Sequence, residues 1–352
     1  MPHLRFIDSG TLEKWMSGTQ ELALLDLRDV GSYGYGGPLN GIHLPADISD
    51  AAVCGLLPRC LVPIVLIDDD GGPPVQVFAE RLAALGYANV HILAGGLAAW
   101  TASGSTTRLH ATSRELTRDI LSEYRTPTIA AAEAMRLRAA GHDVLVLDMR
   151  PGEEYARGHI PGARHVPGGE LLYRYDALVS SPDTVVFTSC GGLPRAVVGA
   201  QTLIEAGVPN RVEAIHEGTK GWQEAGGMLE TGFPHSASEP MSLDRTRARA
   251  LAAQLLKSQP LAHVDAATID AWRRDPARTT YLVDLRTSEE IASHPFEGAI
   301  EALGAQLAVG AHRHLAVRGA RLVLLDDDGV RAATAARWLR RRGWETWRHA
   351  LS

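Results

Sequence analysis

The chain has 352 residues, 45% of them hydrophobic and 22% charged, which is ordinary globular composition in a length too great for one core. A formal charge of -6, from 35 basic and 41 acidic side chains, excludes the electrostatic footprint of a nucleic-acid or anionic-lipid binder. No apolar run reaches membrane-spanning length, residues 1–10 lack a basic region leading into an apolar one, and three cysteines cannot make a disulfide framework, so a cytoplasmic chain with free thiols is expected.

In chain order, residues 22–28 read as an apolar strand closing on Asp-x-Arg. Residues 63–87 follow as a second apolar strand, a Gly-containing loop and an amphipathic helix, and Gly96 and Trp100 close the copy. The same succession returns at 144–150, 184–208 and 218–222, and again at 281–286 and 321–344. The third copy stops at Ser352 before the corresponding Gly-to-Trp closure, as a degenerate or cut copy does.

Strand and helix alternating at this spacing predict an α/β chain of three units, 1–105, 128–232 and 263–352, each a mostly parallel sheet with helices on both faces. Polar connectors at 106–127 and 233–262 join them, the second with a basic helix from Arg245. No aromatic residue interrupts those charges, so a solvated helix packed between units is expected, without nucleic-acid contact.

In the middle copy a strand delivers Cys190, then Gly191, Gly192, Leu193, Pro194, Arg195 and Ala196, with a helix starting near Val197. Such a turn aims successive N–H groups and a helix N-terminus at one point. A thiolate there is expected to be stabilised, with its pKa below the free value of about 8.5. The first copy repeats the Cys-x4-Arg spacing at Cys54 and Arg59, but ahead of its strand, where the spacing has no such geometry. Cys54 and Cys60 are therefore read as ordinary thiols.

The stretch Leu-Asp-Met-Arg ending at Arg150, the segment 153–167, the Cys-x4-Arg-Ala loop, the stretch 206–212 and the Gly-Thr-Lys-Gly-Trp closure together resemble the rhodanese family, and copies one and three carry weaker versions of the frame. The resemblance implies three tandem rhodanese-like domains and a sulfurtransferase. Cys190 would take the sulfane sulfur of thiosulfate or a related persulfide donor and pass it to a thiophilic acceptor. Implied partners are a small sulfur-donor anion or persulfide and a small-thiol or protein-thiol acceptor, with neither cofactor nor metal, and with a homodimer left open. A non-catalytic binding or redox-sensing protein is the alternative of another class. Cys-based phosphatases and arsenate reductases resemble this fold too, but one more residue in their loop makes room for a tetrahedral anion.

Around the nucleophile, Arg195 either turns into the loop or pairs outward with Glu153 or Glu154. Asp148 and Arg150 end a strand at the sheet's carboxyl edge and serve as a structural pair or as positive potential for substrate. Lys220 is a further substrate-binding candidate, His159 shapes a turn, and Trp100 and Trp222 pack the core. Asp69 and Asp327, each within an Asp-Asp-Asp-Gly run, are aligned with the nucleophile as degenerate sites, since a carboxylate forms no persulfide. The runs lack the spacing of a calcium loop.

Overall fold

The computed structural model describes residues 4–29, 32–33, 41–45, 47–105, 113–233, 244–302, 307, 309–311 and 314–351. Its strands are β1 (Arg5–Ile7), β2 (Leu22–Asp26), β3 (Ile42–His43), β4 (Ile64–Ile67), β5 (Val90–Leu93), β6 (Thr128–Ile129), β7 (Val144–Asp148), β8 (Arg164–His165), β9 (Val185–Ser189), β10 (Val212–Ile215), β11 (Thr280–Asp284), β12 (Ile300–Glu301), β13 (Val317–Arg318), β14 (Arg321–Asp326) and β15 (Glu345–Ala350).

These strands form three sheets with one recurring parallel order. The first runs β1-β5-β4-β2 with β3 beside β2, the second β6-β10-β9-β7-β8, and the third β15-β14-β11-β12. In the third unit the outermost strand shrinks to a single parallel bridge between His263 and Arg348. Nearly continuous apolar strands, the mark of sheets covered on both sides, make this possible. In the middle sheet Leu147, Val186 and Ala214 face one core, while Val146, Phe187 and Ile215 face another. The mostly parallel α/β sheets expected from the repeats are thus present, and the three sheets are not independent beads.

The third unit binds both others. Its β13 adds antiparallel to β2, so the first sheet gains a strand from a distant part of the chain. One face of the first sheet and one face of the third share a single core, in which Leu25 and Leu66 join Tyr281 and Leu324. The Tyr281 hydroxyl donates to the Leu56 carbonyl at 2.5 Å, and the Glu21 carboxylate accepts the Thr279 amide at 2.8 Å and hydroxyl at 2.6 Å. On its other side, helix Val330–Arg341 packs on helix Pro194–Glu205, where the Trp338 indole donates to Thr202 Oγ1 at 2.9 Å.

Two connectors contain helix that the polar composition understates. Helix Ser113–Tyr124 lies on helix Pro194–Glu205 through Leu116 and Ile120, so this part of 106–127 belongs to the middle unit's core. Helix Arg245–Leu255 buries Ala248, Leu251, Ala252 and Leu255 in the core shared by the middle and third units and exposes its arginines, as expected for 233–262. Residues 106–112 and 234–243 lie outside the described residues. Among the described residues no helix is long and apolar enough to cross a membrane.

Candidate active-site loop

Strand β9 ends at Ser189 and the helix begins at Pro194, whose fixed φ and missing N–H suit the first turn. Between them the chain curls around the Cys190 side chain. The backbone amides of Gly192 and Ala196 and the Arg195 guanidinium are turned toward its sulfur and favour its thiolate. Thr188 Oγ1 donates to the Ala196 carbonyl at 2.8 Å and ties the far end of the loop to the strand. The convergence of amides expected from sequence is therefore present.

The expected pKa is not. Cys190 is only 1% exposed, and this burial pushes its thiol above the ordinary value despite the two amides and Arg195. Removing water from a nascent thiolate outweighs two N–H donors when the site is closed. Cys190 is thus a buried thiol beside the exposed Gly191.

Arg195 meets both sequence readings. It faces the sulfur and also forms a two-pronged pair with Glu154, with Nη1 to Oε1 at 2.9 Å and Nη2 to Oε2 at 2.6 Å. The guanidinium holds the Glu154 carboxyl below its usual range. Glu154 thus orients Arg195. A carboxylate in the segment after Asp-x-Arg was the one sequence signal for it.

Asp148 and Arg150 form a buried bidentate pair, with Nε to Oδ1 at 2.9 Å and Nη2 to Oδ2 at 2.8 Å, and Arg150 Nη2 also donates to the Gly158 carbonyl at 2.6 Å. Asp26 with Arg28 and Asp284 with Arg286 repeat this geometry in units that carry no cysteine there. The pair therefore belongs to the frame of each unit, and its Nε and Nη2 donors are committed inward.

Lys220 does not join the loop. It is exposed, 3.7 Å from Glu217 and 3.6 Å from Glu224. Its neighbours Gly218 and Thr219 do meet the loop, since the Thr219 amide donates to the Cys190 carbonyl at 2.8 Å. Gly218 has φ +51, and a Cβ there would lie 2.0 Å from that carbonyl oxygen, so only glycine fits. His159 is fully buried, stacked on Tyr155 at 3.8 Å, and shapes the turn as read. Trp100 and Trp222 are buried, and Cys54, Cys60 and Cys190 are all unpaired.

The strand register shifts the degenerate positions by one residue. Asp148 pairs with Ser189, Asp26 with Ile67 and Asp284 with Leu325. The residue after each partner is therefore Cys190, Asp68 and Asp326, not Asp69 and Asp327. The loop carbonyls agree: Leu97 and Leu351 donate to Asp68 and Asp326 as Thr219 does to Cys190. A gapless alignment of the strands misses this because the first copy's loop is offset where strand meets turn. Asp69 is exposed, and Asp327 is partly buried within 3.9 Å of Arg331.

Counted this way, the third loop reproduces the middle one as Asp326-x4-Arg331-Ala332. The Ala332 amide donates to Asp326 Oδ2 at 2.9 Å, where the Ala196 amide turns toward sulfur, and Arg331 pairs with Glu290 at 3.0 Å as Arg195 does with Glu154. The difference is the plug: Glu170 of the middle unit accepts from Arg331 Nε at 2.8 Å, and the Tyr173 hydroxyl donates to Asp328. Among the described residues no cluster of His, Cys, Asp or Glu suits a metal.

A family model for the rhodanese-like domain matches residues 9–103 and 130–225, more than half of the chain. The crystal structure of a thiosulfate sulfurtransferase from Pseudomonas aeruginosa superposes with a TM-score of 0.92 at 34% identity, covering 99% of this chain and 67% of that one. A thiosulfate sulfurtransferase sequence from the same organism is 29% identical over 217 residues, which is 49% of this chain and 78% of the relative. An HTH-type transcriptional regulator of Mycobacterium tuberculosis is 35% identical over 106 residues, 30% of this chain, and the match spans 46% of the regulator's length.

Proposed function

Because the chain belongs to the rhodanese-like domain family, we propose that it is a sulfurtransferase whose chemistry is confined to Cys190. The observation that carries this reading is the loop itself: the Gly192 and Ala196 amides and the Arg195 guanidinium turn toward a sulfur in the middle unit, whereas the matching positions in the other two sheets are the carboxylates Asp68 and Asp326. The third unit is then a rhodanese-like domain that has kept its loop and lost its nucleophile. The likeness to a thiosulfate sulfurtransferase over nearly the whole chain supports the same conclusion.

In the first displacement the Cys190 thiolate attacks the outer sulfur of thiosulfate, the sulfur–sulfur bond of the donor breaks, and its electron pair leaves with sulfite. In the second, cyanide or a thiolate attacks the terminal sulfur of the Cys190 persulfide, and that bond's electron pair returns to Cys190. No oxidant or cofactor is required. The Gly192 and Ala196 amides hold the charge that moves between the inner and outer sulfur, the part an oxyanion hole plays for oxygen. Donors that are persulfides of small thiols or proteins suit the site as well, because Arg195 is the loop's one cation and Glu154 already neutralises it. Only four residues separate Cys190 from Arg195, and the sulfur is almost completely enclosed, which favours transfer of one atom over a tetrahedral phosphate or arsenate. Three free thiols fit a reducing, cytoplasmic setting.

Intact mass after thiosulfate treatment tests the reading. A gain of about 32 Da on Cys190, discharged by cyanide as thiocyanate, is expected of a persulfide-forming nucleophile. An unchanged mass together with release of phosphate from a phosphate ester would replace it with the phosphatase reading.

The buried thiol adds a pH dependence. Because burial raises the pKa, less thiolate exists at any given pH, and kcat/KM for thiosulfate should climb through and beyond the ordinary thiol range near about 8.5. A profile already flat below neutral pH would show that the donor meets a preformed thiolate.

A further inference from the structure

Two guanidiniums stand at the cysteine loop, and each is matched by a carboxylate before any substrate arrives. Arg195, which faces the sulfur, is held by Glu154 through both Nη atoms, at 2.9 and 2.6 Å. Arg150, whose Cδ lies 3.9 Å from the Cβ position of Gly191, is held by Asp148 through Nε and Nη2, at 2.9 and 2.8 Å. Between Cys190 and Arg195 the loop adds Gly191, Gly192, Leu193 and Pro194, none of them charged.

The two pairs differ in place. The Asp148 side chain is fully buried and its pair recurs in all three units, whereas the Glu154 side chain is 36% exposed. The Glu154 pair is the more open of the two, so its summed charge acts on whatever approaches from solvent. The third unit records what such a pair accommodates: Arg331 keeps Glu290 at 3.0 Å and takes one further single carboxylate, Glu170, at 2.8 Å. Thiosulfate carries two negative charges and a persulfide one. Against a pair that sums to zero, the second charge gains nothing from Arg195 that Glu154 does not offset, and its desolvation beside an enclosed sulfur costs more.

We propose that Glu154 selects the donor by charge: paired with Arg195, it turns the loop away from dianionic donors such as thiosulfate and toward singly charged sulfane-sulfur carriers, the persulfides of small or protein thiols. Such selection rests on the sulfurtransferase reading, and Glu154 takes part without touching a reacting atom, through Arg195 and through its own charge.

Thiosulfate and methanethiosulfonate separate charge from chemistry, because a methyl group in the second replaces one charged oxygen of the first. With either donor the Cys190 thiolate takes the outer sulfur, the donor's sulfur–sulfur bond breaks, and its electron pair leaves with sulfite or methanesulfinate; cyanide then removes the sulfur as thiocyanate. Glu154→Gln keeps an oxygen for Arg195 to bond and drops the charge. In that variant the ratio of kcat/KM for thiosulfate to that for methanethiosulfonate should rise about tenfold, the scale of one unit charge several ångströms away in a partly solvated site. Glu154→Asp, which keeps the charge, should keep the native ratio. A glutamate that only braces Arg195 would lower both donors alike, so an unmoved or falling ratio in Glu154→Gln overturns the selection. If that variant fails to fold, Arg195→Gln leaves Glu154 unopposed and should depress the ratio about tenfold or more, while an equal loss for both donors overturns the selection. Thiocyanate from neither donor with the native chain would overturn the sulfurtransferase reading itself, and the selection with it.

Discussion

Replacing Cys190 with serine will lower thiosulfate-to-cyanide turnover by about three orders of magnitude or more, the scale seen when a covalent nucleophile is removed. A serine hydroxyl in the same place still faces the Gly192 and Ala196 amides, and the Thr188 and Thr219 bonds that tie the loop do not use the sulfur, so the loss reports chemistry. Serine cannot hold a transferable sulfur, and its proton is far harder to remove. Cys54 and Cys60 are exposed and lie before β4 in the first unit, so Cys54→Ser and Cys60→Ser should leave turnover within about twofold, as surface changes do. Thiocyanate production by Cys190→Ser at anything near the native rate would move the chemistry elsewhere.

Arg331→Ala should cost about 3–5 kcal/mol of stability, because it strips the partner from a buried pair. The Arg331 side chain is 5% exposed and lies 2.8 Å from Glu170 and 3.0 Å from Glu290, with its guanidinium 5.2 Å from the Tyr173 ring. Alanine leaves Glu170 enclosed, and leaves Asp326 with one oxygen already lacking a hydrogen bond. Asp326 responds by holding its proton, since burial has raised its pKa even with arginine present. The folded pKa exceeds the unfolded one, so the aspartate's penalty grows as pH rises above the unfolded value and fades below it. The variant should therefore recover part of its stability in mild acid, read from urea midpoints at two pH values. A loss under about 1 kcal/mol, typical of a solvated ion pair, would mean that this joint between the middle and third units contributes little.

This joint bears on the working site. Helix Val330–Arg341 presses on helix Pro194–Glu205, which begins in the cysteine loop, through Trp338 with Thr202 and Arg337 with Glu205. The third unit thus supports the helix that follows Cys190, and its loop at Asp326 and Arg331 receives Glu170 of the middle unit.

The sequence by itself determined the recurring strand-and-helix pattern, the strand-loop-helix turn at Cys190 and that aspartates, not cysteine, follow the matching strands elsewhere. Those features are written in local patterns, namely apolar strands, a glycine pair and a proline that starts a helix. Tertiary structure decided which aspartate stands in for cysteine, because register is set by pairing across the sheet: Asp68 and Asp326 emerge only once Asp26 and Asp284 find their partners. It also decided the state of the thiol. Two amides near a sulfur predict a lowered pKa, but the same loop shuts out water, and desolvation depends on how completely distant side chains close around it. The interlocking of the third unit with both neighbours was equally out of reach, since β13 joins β2 and Arg331 joins Glu170 across long stretches of chain that no local periodicity records.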